Sequence, residues 1–131
     1  MLEPLLKGMR DASLSLLALT DSQINEILFS VANAMVREQE TLLKANLLDL
    51  AAMEKTNPMY DRLLLTEERI AGISQDMKKV AELESPVGKE IDRRVRPNGM
   101  EIRRVRVPFG VIGVIYEARP NVSFDLFSLC L

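Results

Sequence analysis

The sequence predicts a chain that is mainly helical, carries one β-hairpin, and closes on the opening of an α/β unit. Three observations predict it. Apolar residues recur at helical spacing through residues 1–84. β-like segments then flank Arg96-Pro97-Asn98-Gly99, which has the composition of a tight turn. Finally, Val111-Ile112-Gly113-Val114-Ile115-Tyr116 is apolar without polar alternation, the pattern of a strand buried on both faces, as in parallel sheets.

Leu5, Leu6, Met9, Ala12, Leu16 and Leu19 predict a first helix over residues 4–19. Thr20-Asp21-Ser22-Gln23 has the Thr-x-x-Gln form of a capping box, in which the hydroxyl takes an orphan N–H and Gln23 reaches back. Ile24, Ile27, Leu28, Val31, Met35, Leu42 and Leu43 mark the buried stripe of a long helix over about 21–53. Asn57-Pro58 breaks it, because a residue before proline is pushed out of the helical region. A short helical turn covers Met59–Leu64. Thr66 caps a helix over about 67–83, where Glu67 and Glu68 suit the positive N-terminal end. Ile70, Ile73, Met77, Val80 and Ala81 line its inner side, and Ser85-Pro86-Val87-Gly88 ends it.

A hairpin is expected over residues 89–107. Pro97 and Gly99 favour a type I turn followed by a left-handed glycine with a bulge. That turn pairs Arg96 with Met100, Asp92 with Arg104 and Ile91 with Val105. A two-residue Asn-Gly loop would instead set Asp92 against Val105 and Ile91 against Arg106; the first register gives the more sensible pairs. A parallel-type strand over 111–116 and the start of a helix over 123–131 complete the expectation. The lone strand has no neighbour of its own kind and the apolar helix has no cover. The sequence therefore reads as ending where an α/β domain would begin.

Composition narrows the chemistry. Histidine is absent, which removes Ser-His-Asp and Cys-His catalysis and histidine-bound zinc from within these residues. A single cysteine forms no internal disulfide and fits a reducing compartment. No apolar stretch approaches bilayer length, and MLEPLLKGMRDA lacks a basic segment followed by a long apolar one, so a cytoplasmic location and no membrane partner are expected. The net charge of −2 is uneven: residues 89–107 hold seven Lys/Arg and three Asp/Glu, a balance of +4, leaving −6 elsewhere. Nothing aromatic is interleaved with these arginines, so bases have no stacking platform. Ion pairs or a protein face explain the patch better than nucleic acid.

Chemistry-bearing residues gather at Glu117-Ala118-Arg119-Pro120-Asn121, at the carboxyl end of the expected strand, where open α/β sheets bind ligands. The Asn121 amide is a usable oxyanion donor with no proton equilibrium of its own. Arg119 is a permanent cation suited to phosphate or carboxylate. The same residues also read as a plain polar turn, with Asn121 as a helix N-cap and Glu117 and Arg119 as an exposed pair. Gly110-x-x-Gly113 lies before and inside the strand and is no dinucleotide fingerprint. Cys130, several residues into an apolar helix between Leu129 and Leu131, reads as a small core hydrophobe rather than a nucleophile.

The run VRVPFGVIGVIYEARPNVSFDLFSLCL closely resembles the gamma-glutamyl phosphate reductases, also called glutamate-5-semialdehyde dehydrogenases, of the aldehyde dehydrogenase superfamily. LKANLLDLAA, DRLLLTEERIAGI, SPVGKEI and RPNGMEIRRVRVP extend the likeness over essentially the whole chain. The resemblance implies an α/β fold of the aldehyde dehydrogenase type. Residues 1–88 would be the N-terminal helical part of the cofactor-binding domain, 89–107 an oligomerisation-type hairpin, and 108–131 the first strand and helix of a Rossmann-like unit. It implies NADPH-dependent reduction of L-glutamyl 5-phosphate to glutamate 5-semialdehyde with phosphate release, in proline synthesis, through a cysteine nucleophile located beyond residue 131. Asn121 matches the asparagine that holds the thiohemiacetal oxygen. Ile115, Tyr116, Glu117, Ala118 and Arg119 match the strand end along the NADPH/NADP nicotinamide, and Arg119 and Asn121 are candidates for substrate contact. A homo-oligomer, with functional association with glutamate 5-kinase, is the implied partner set. These 131 residues alone are expected to be inactive. The alternative from another class is a non-catalytic helical and hairpin module that binds a protein.

Overall fold

The computed structural model describes residues 2–117 and 119–131. It resolves into two compact units, residues 2–18 with 84–112, and residues 19–83 with 113–131.

The first unit holds α1 (Leu2–Leu16) and a two-stranded antiparallel hairpin, β1 (Glu90–Val95) and β2 (Glu101–Val105). The turn is the one its sequence predicts. The Gly99 N–H donates to the Arg96 carbonyl at 2.9 Å, the Arg96 N–H to the Met100 carbonyl at 2.9 Å, and Gly99 takes φ +82°. That left-handed value is why a glycine stands there. Asp92 faces Arg104 as expected. Val105 pairs with Glu90 rather than Ile91, because a bulge between Glu90 and Asp92 takes Ile91 out of register. Ion pairs join Arg93 to Glu101 and Arg94 to Asp92. In α1, the apolar residues Leu5, Leu6, Met9 and Leu16 recur as predicted but stay exposed.

The second unit contains α2 (Asp21–Arg37), α3 (Gln39–Ala51), α4 (Tyr60–Leu63), α5 (Glu67–Ala81) and α6 (Pro120–Cys130). The capping box at Thr20 is fully formed: the Gln23 N–H donates to Thr20 Oγ1, and the Thr20 N–H to Gln23 Oε1. Thr66 caps α5 by accepting from the Arg69 N–H. The core joins α2 to α5. Leu28, Ala32 and Met35 meet Ile70, Met77 and Ala81, with Ile70 only 1% exposed. Burying the leucine, isoleucine and methionine side chains among them contributes about 1.5–3 kcal/mol each. Ala32 is fully buried and Ser74 Oγ donates to its carbonyl at 2.9 Å, so a hydrogen bond is set into the apolar seam. From the far end of the chain, Phe124 and Leu131 of the last segment pack on the same core.

Three expectations on helices and strands change. The helix expected over 21–53 is two helices, broken at Glu38, whose φ −96° and ψ 16° lie between the helical and extended regions. No glycine or proline marks the break, so apolar periodicity reads straight through it. The last helix begins at Pro120 rather than Ser123, with Arg119 at the N-cap. Proline suits the first helical position because its fixed φ is helical and its missing N–H would have no partner there. Residues 111–116 form no ladder among the described residues, and Val111, Ile112, Val114, Ile115 and Tyr116 are exposed. A strand exists by pairing, and this run has no hydrogen-bonded neighbour.

Candidate functional site

Two stretches of the second unit, residues 61–76 and residues 119–121, line a cleft of about 370 Å³. Residues 61–65, the end of α4 and the start of its link to α5, are held by two side chains. Asn46, on α3 and only 5% exposed, donates from Nδ2 to the Leu63 carbonyl and accepts the Leu65 N–H at Oδ1, both at 2.8 Å. This clasp satisfies two backbone groups that no helix or sheet serves. Arg69, at the third position of α5, donates to the Asp61 and Leu64 carbonyls and pairs with the Asp61 carboxylate at 2.9 Å. Its guanidinium is thereby committed to shaping the wall. Leu64, Leu65 and Ile73 give the cleft apolar lining, and Asp76 adds a carboxylate to it.

The opposite wall is the start of α6. Because Pro120 takes the first helical position, Asn121 falls at the second. It is no N-cap: it lines the cleft and its Nδ2 donates to Asp125 Oδ2 at 3.1 Å. One amide proton remains for another acceptor. Arg119 also lines the cleft and, among the described residues, makes no ion pair, so the expected exposed pair with Glu117 does not form. Arg119 and Asn121 are thus brought together. Ile115, Tyr116 and Glu117 do not line the cleft; Ile115 is fully exposed at 102%, and the Tyr116 hydroxyl bonds to Ser123 Oγ. Ala118 lies outside the described residues.

Cys130 is exposed, whereas core packing was expected. Successive helical residues turn about 100°, and Phe124, Ser128 and Leu131 share the inner side, which leaves Cys130 facing outward. Ser128 can sit inward because its hydroxyl returns to the Phe124 carbonyl at 2.7 Å. Asp61, Arg69 and Asp76 were not foreseen as cleft residues. The only local signal was the capping threonine, Thr66, which fixes where α5 begins and hence which way Arg69 faces.

No family model matches the chain. Curated proteins do. It is 58% identical over 120 residues to the gamma-glutamyl phosphate reductase of Bacteroides thetaiotaomicron, covering 92% of this chain and 29% of that protein. The chain matches the N-terminal part of gamma-glutamyl phosphate reductases. The Parabacteroides distasonis reductase is 53% identical over 126 residues, covering 96% of this chain and 30% of that one. The chain therefore spans about three tenths of the length of the curated reductases it matches. Crystal structures agree. The Thermotoga maritima gamma-glutamyl phosphate reductase superposes with a TM-score of 0.86 at 34% identity, over 94% of this chain and 30% of that one. The Saccharomyces cerevisiae reductase gives 0.86 at 31% identity, over 94% and 32%. The mainly helical fold with one antiparallel hairpin is that of the N-terminal part of these reductases.

Proposed function

We propose that these residues form one wall of the active site of an NADPH-dependent reductase that converts L-glutamyl 5-phosphate to glutamate 5-semialdehyde and releases phosphate. The observation that carries this is the 58% identity to a curated gamma-glutamyl phosphate reductase. The shared cleft of Arg119 and Asn121 supports it. Asn121 offers its free amide proton to the oxygen that gains negative charge when the acyl carbon is attacked. A neutral donor held on a helix serves this without reorganising. The attacking thiolate comes from outside these 131 residues.

The exposed apolar Ile115 fits the flank of the flat ring of a nicotinamide dinucleotide, with Arg119 counted there through its backbone and its guanidinium left for the substrate. Ile115, Tyr116, Glu117, Ala118 and Arg119 are the residues assigned to that flank. When bound, the cofactor supplies hydride. The hairpin, with its surplus of positive charge, is assigned to contact between subunits of a homo-oligomer, and glutamate 5-kinase is the implied functional associate. A cytoplasmic setting belongs to the same proposal. Among the described residues no helix is long and apolar enough to cross a membrane.

The test is NADP- and phosphate-dependent oxidation of glutamate 5-semialdehyde. An enzyme of full reductase length carrying these residues should turn over, and the 131-residue chain alone should not. Turnover by the isolated chain would overturn the assignment of the nucleophile to residues outside it. An inactive long form would overturn the reductase reading.

A further inference from the structure

The geometry points to the cleft between residues 61–76 and 119–121 as the subsite for the α-amino-acid end of the acyl substrate, with Asp76 facing its ammonium group and Arg119 its α-carboxylate. This rests on the reductase reading above. If Asn121 marks the reacting carbonyl, the remainder of a γ-glutamyl group must extend away from it: two methylenes, then a carbon bearing both charges. The cleft has matching parts. Leu64, Leu65 and Ile73 offer an apolar side for the methylenes, and about 370 Å³ is near the lower end of small-ligand sites.

The charges on the cleft separate into committed and available groups. Arg69 is spent on two backbone carbonyls and the Asp61 carboxylate. Among the described residues Asp76 pairs only with Lys79 one helical turn away, and the Lys79 and Asp76 side chains are 65% and 69% exposed. Pairs of that kind are held weakly and exchange readily for a better-placed cation. Arg119 has no ion pair among the described residues. An available carboxylate and an available guanidinium across one small cleft suit a zwitterion. They suit the phosphate end poorly, because Asp61 and Asp76 would repel a dianion. The phosphoryl group then points out of this cleft.

The experiment uses the full-length reductase in the oxidative direction, with glutamate 5-semialdehyde compared against 5-oxopentanoate, which lacks only the ammonium group. Asp76→Asn should lower kcat/KM for glutamate 5-semialdehyde relative to 5-oxopentanoate by roughly 10- to 100-fold, the scale of one hydrogen bond to a charged group. The loss should appear in KM. Arg119→Leu should weaken both substrates, since both carry the carboxylate. Lys79→Met, which frees Asp76 from its one ion-pair partner among the described residues, should not raise KM. A substrate ratio within about threefold of wild type in Asp76→Asn would overturn the subsite while leaving the reductase intact. Wild-type enzyme inert toward both aldehydes would overturn the subsite together with the reading beneath it.

Discussion

Asn46→Ala removes both halves of the clasp that holds the cleft wall. The Leu63 carbonyl and the Leu65 N–H each lose a partner at 2.8 Å. Stranding a buried polar backbone group costs about 1–3 kcal/mol. Leu63 and Leu65 are half-buried, so water can reach them in part and the lower half of that range applies to each. The expected loss is about 2–4 kcal/mol, a large fraction of the 5–15 kcal/mol that typically holds a domain. Urea unfolding followed by far-UV circular dichroism measures it. The midpoint should fall with the slope unchanged, because the surface exposed on unfolding is nearly the same. Hydrogen exchange adds a local readout: the Leu65 amide should lose protection more than the α5 amides do. Asn46→Asp tests the two halves separately, since it keeps an acceptor for the Leu65 N–H but sets a carboxylate oxygen against the Leu63 carbonyl. A loss below about 0.5 kcal/mol in Asn46→Ala would refute the clasp as a structural element.

Asn121→Ala in the full-length enzyme should lower kcat by roughly 10²–10³, the scale for losing one oxyanion donor, and a drop below about threefold in steady-state rates would reject that role. Ser74→Ala should cost about 1 kcal/mol in urea unfolding, because the Ala32 carbonyl loses its extra donor in a buried seam. Cys130→Ser should leave turnover of the full-length enzyme intact and change the unfolding free energy by no more than about 0.5 kcal/mol in urea titration, as an exposed position implies. Gly99→Ala should destabilise the hairpin by about 1 kcal/mol, since an alanine at φ +82° is strained, with the loss read from strand amide exchange.

What could be read from the sequence was local. Both threonine caps and the Arg96–Gly99 turn are decided by residues three or four apart, and each forms as expected. The inner faces of α2 and α5 follow from periodicity, although Ala32 and Ser74, small or polar, carried no hydrophobic signal. The break at Glu38 left no mark, because nothing in Arg37-Glu38-Gln39 opposes a helix. The bulge at Ile91 depends on how both strands approach, which one strand's sequence does not contain. At the site, EARPN drew attention to Arg119 and Asn121 through residue chemistry alone. The facing wall was invisible because its determinants act over distance: Asn46 reaches Leu63 and Leu65 across 17 and 19 residues. Cys130 was misplaced for a related reason. A helix apolar on nearly every side does not announce which side is covered.

The cleft's two walls are separated in the chain by residues 77–118, of which 84–112 belong to the other compact unit. One wall is complete once α5 has packed on α2. The other arrives only when α6 docks, after a long loop has closed at an entropic cost that rises slowly with its length. Seating Arg119 and Asn121 at the cleft therefore draws on the free energy that Phe124 and Leu131 gain on the core. A ligand that touches both walls strengthens that closure by linkage. Its binding and the seating of α6 are then a single equilibrium, observable as slowed exchange at α6 amides when the cleft is filled.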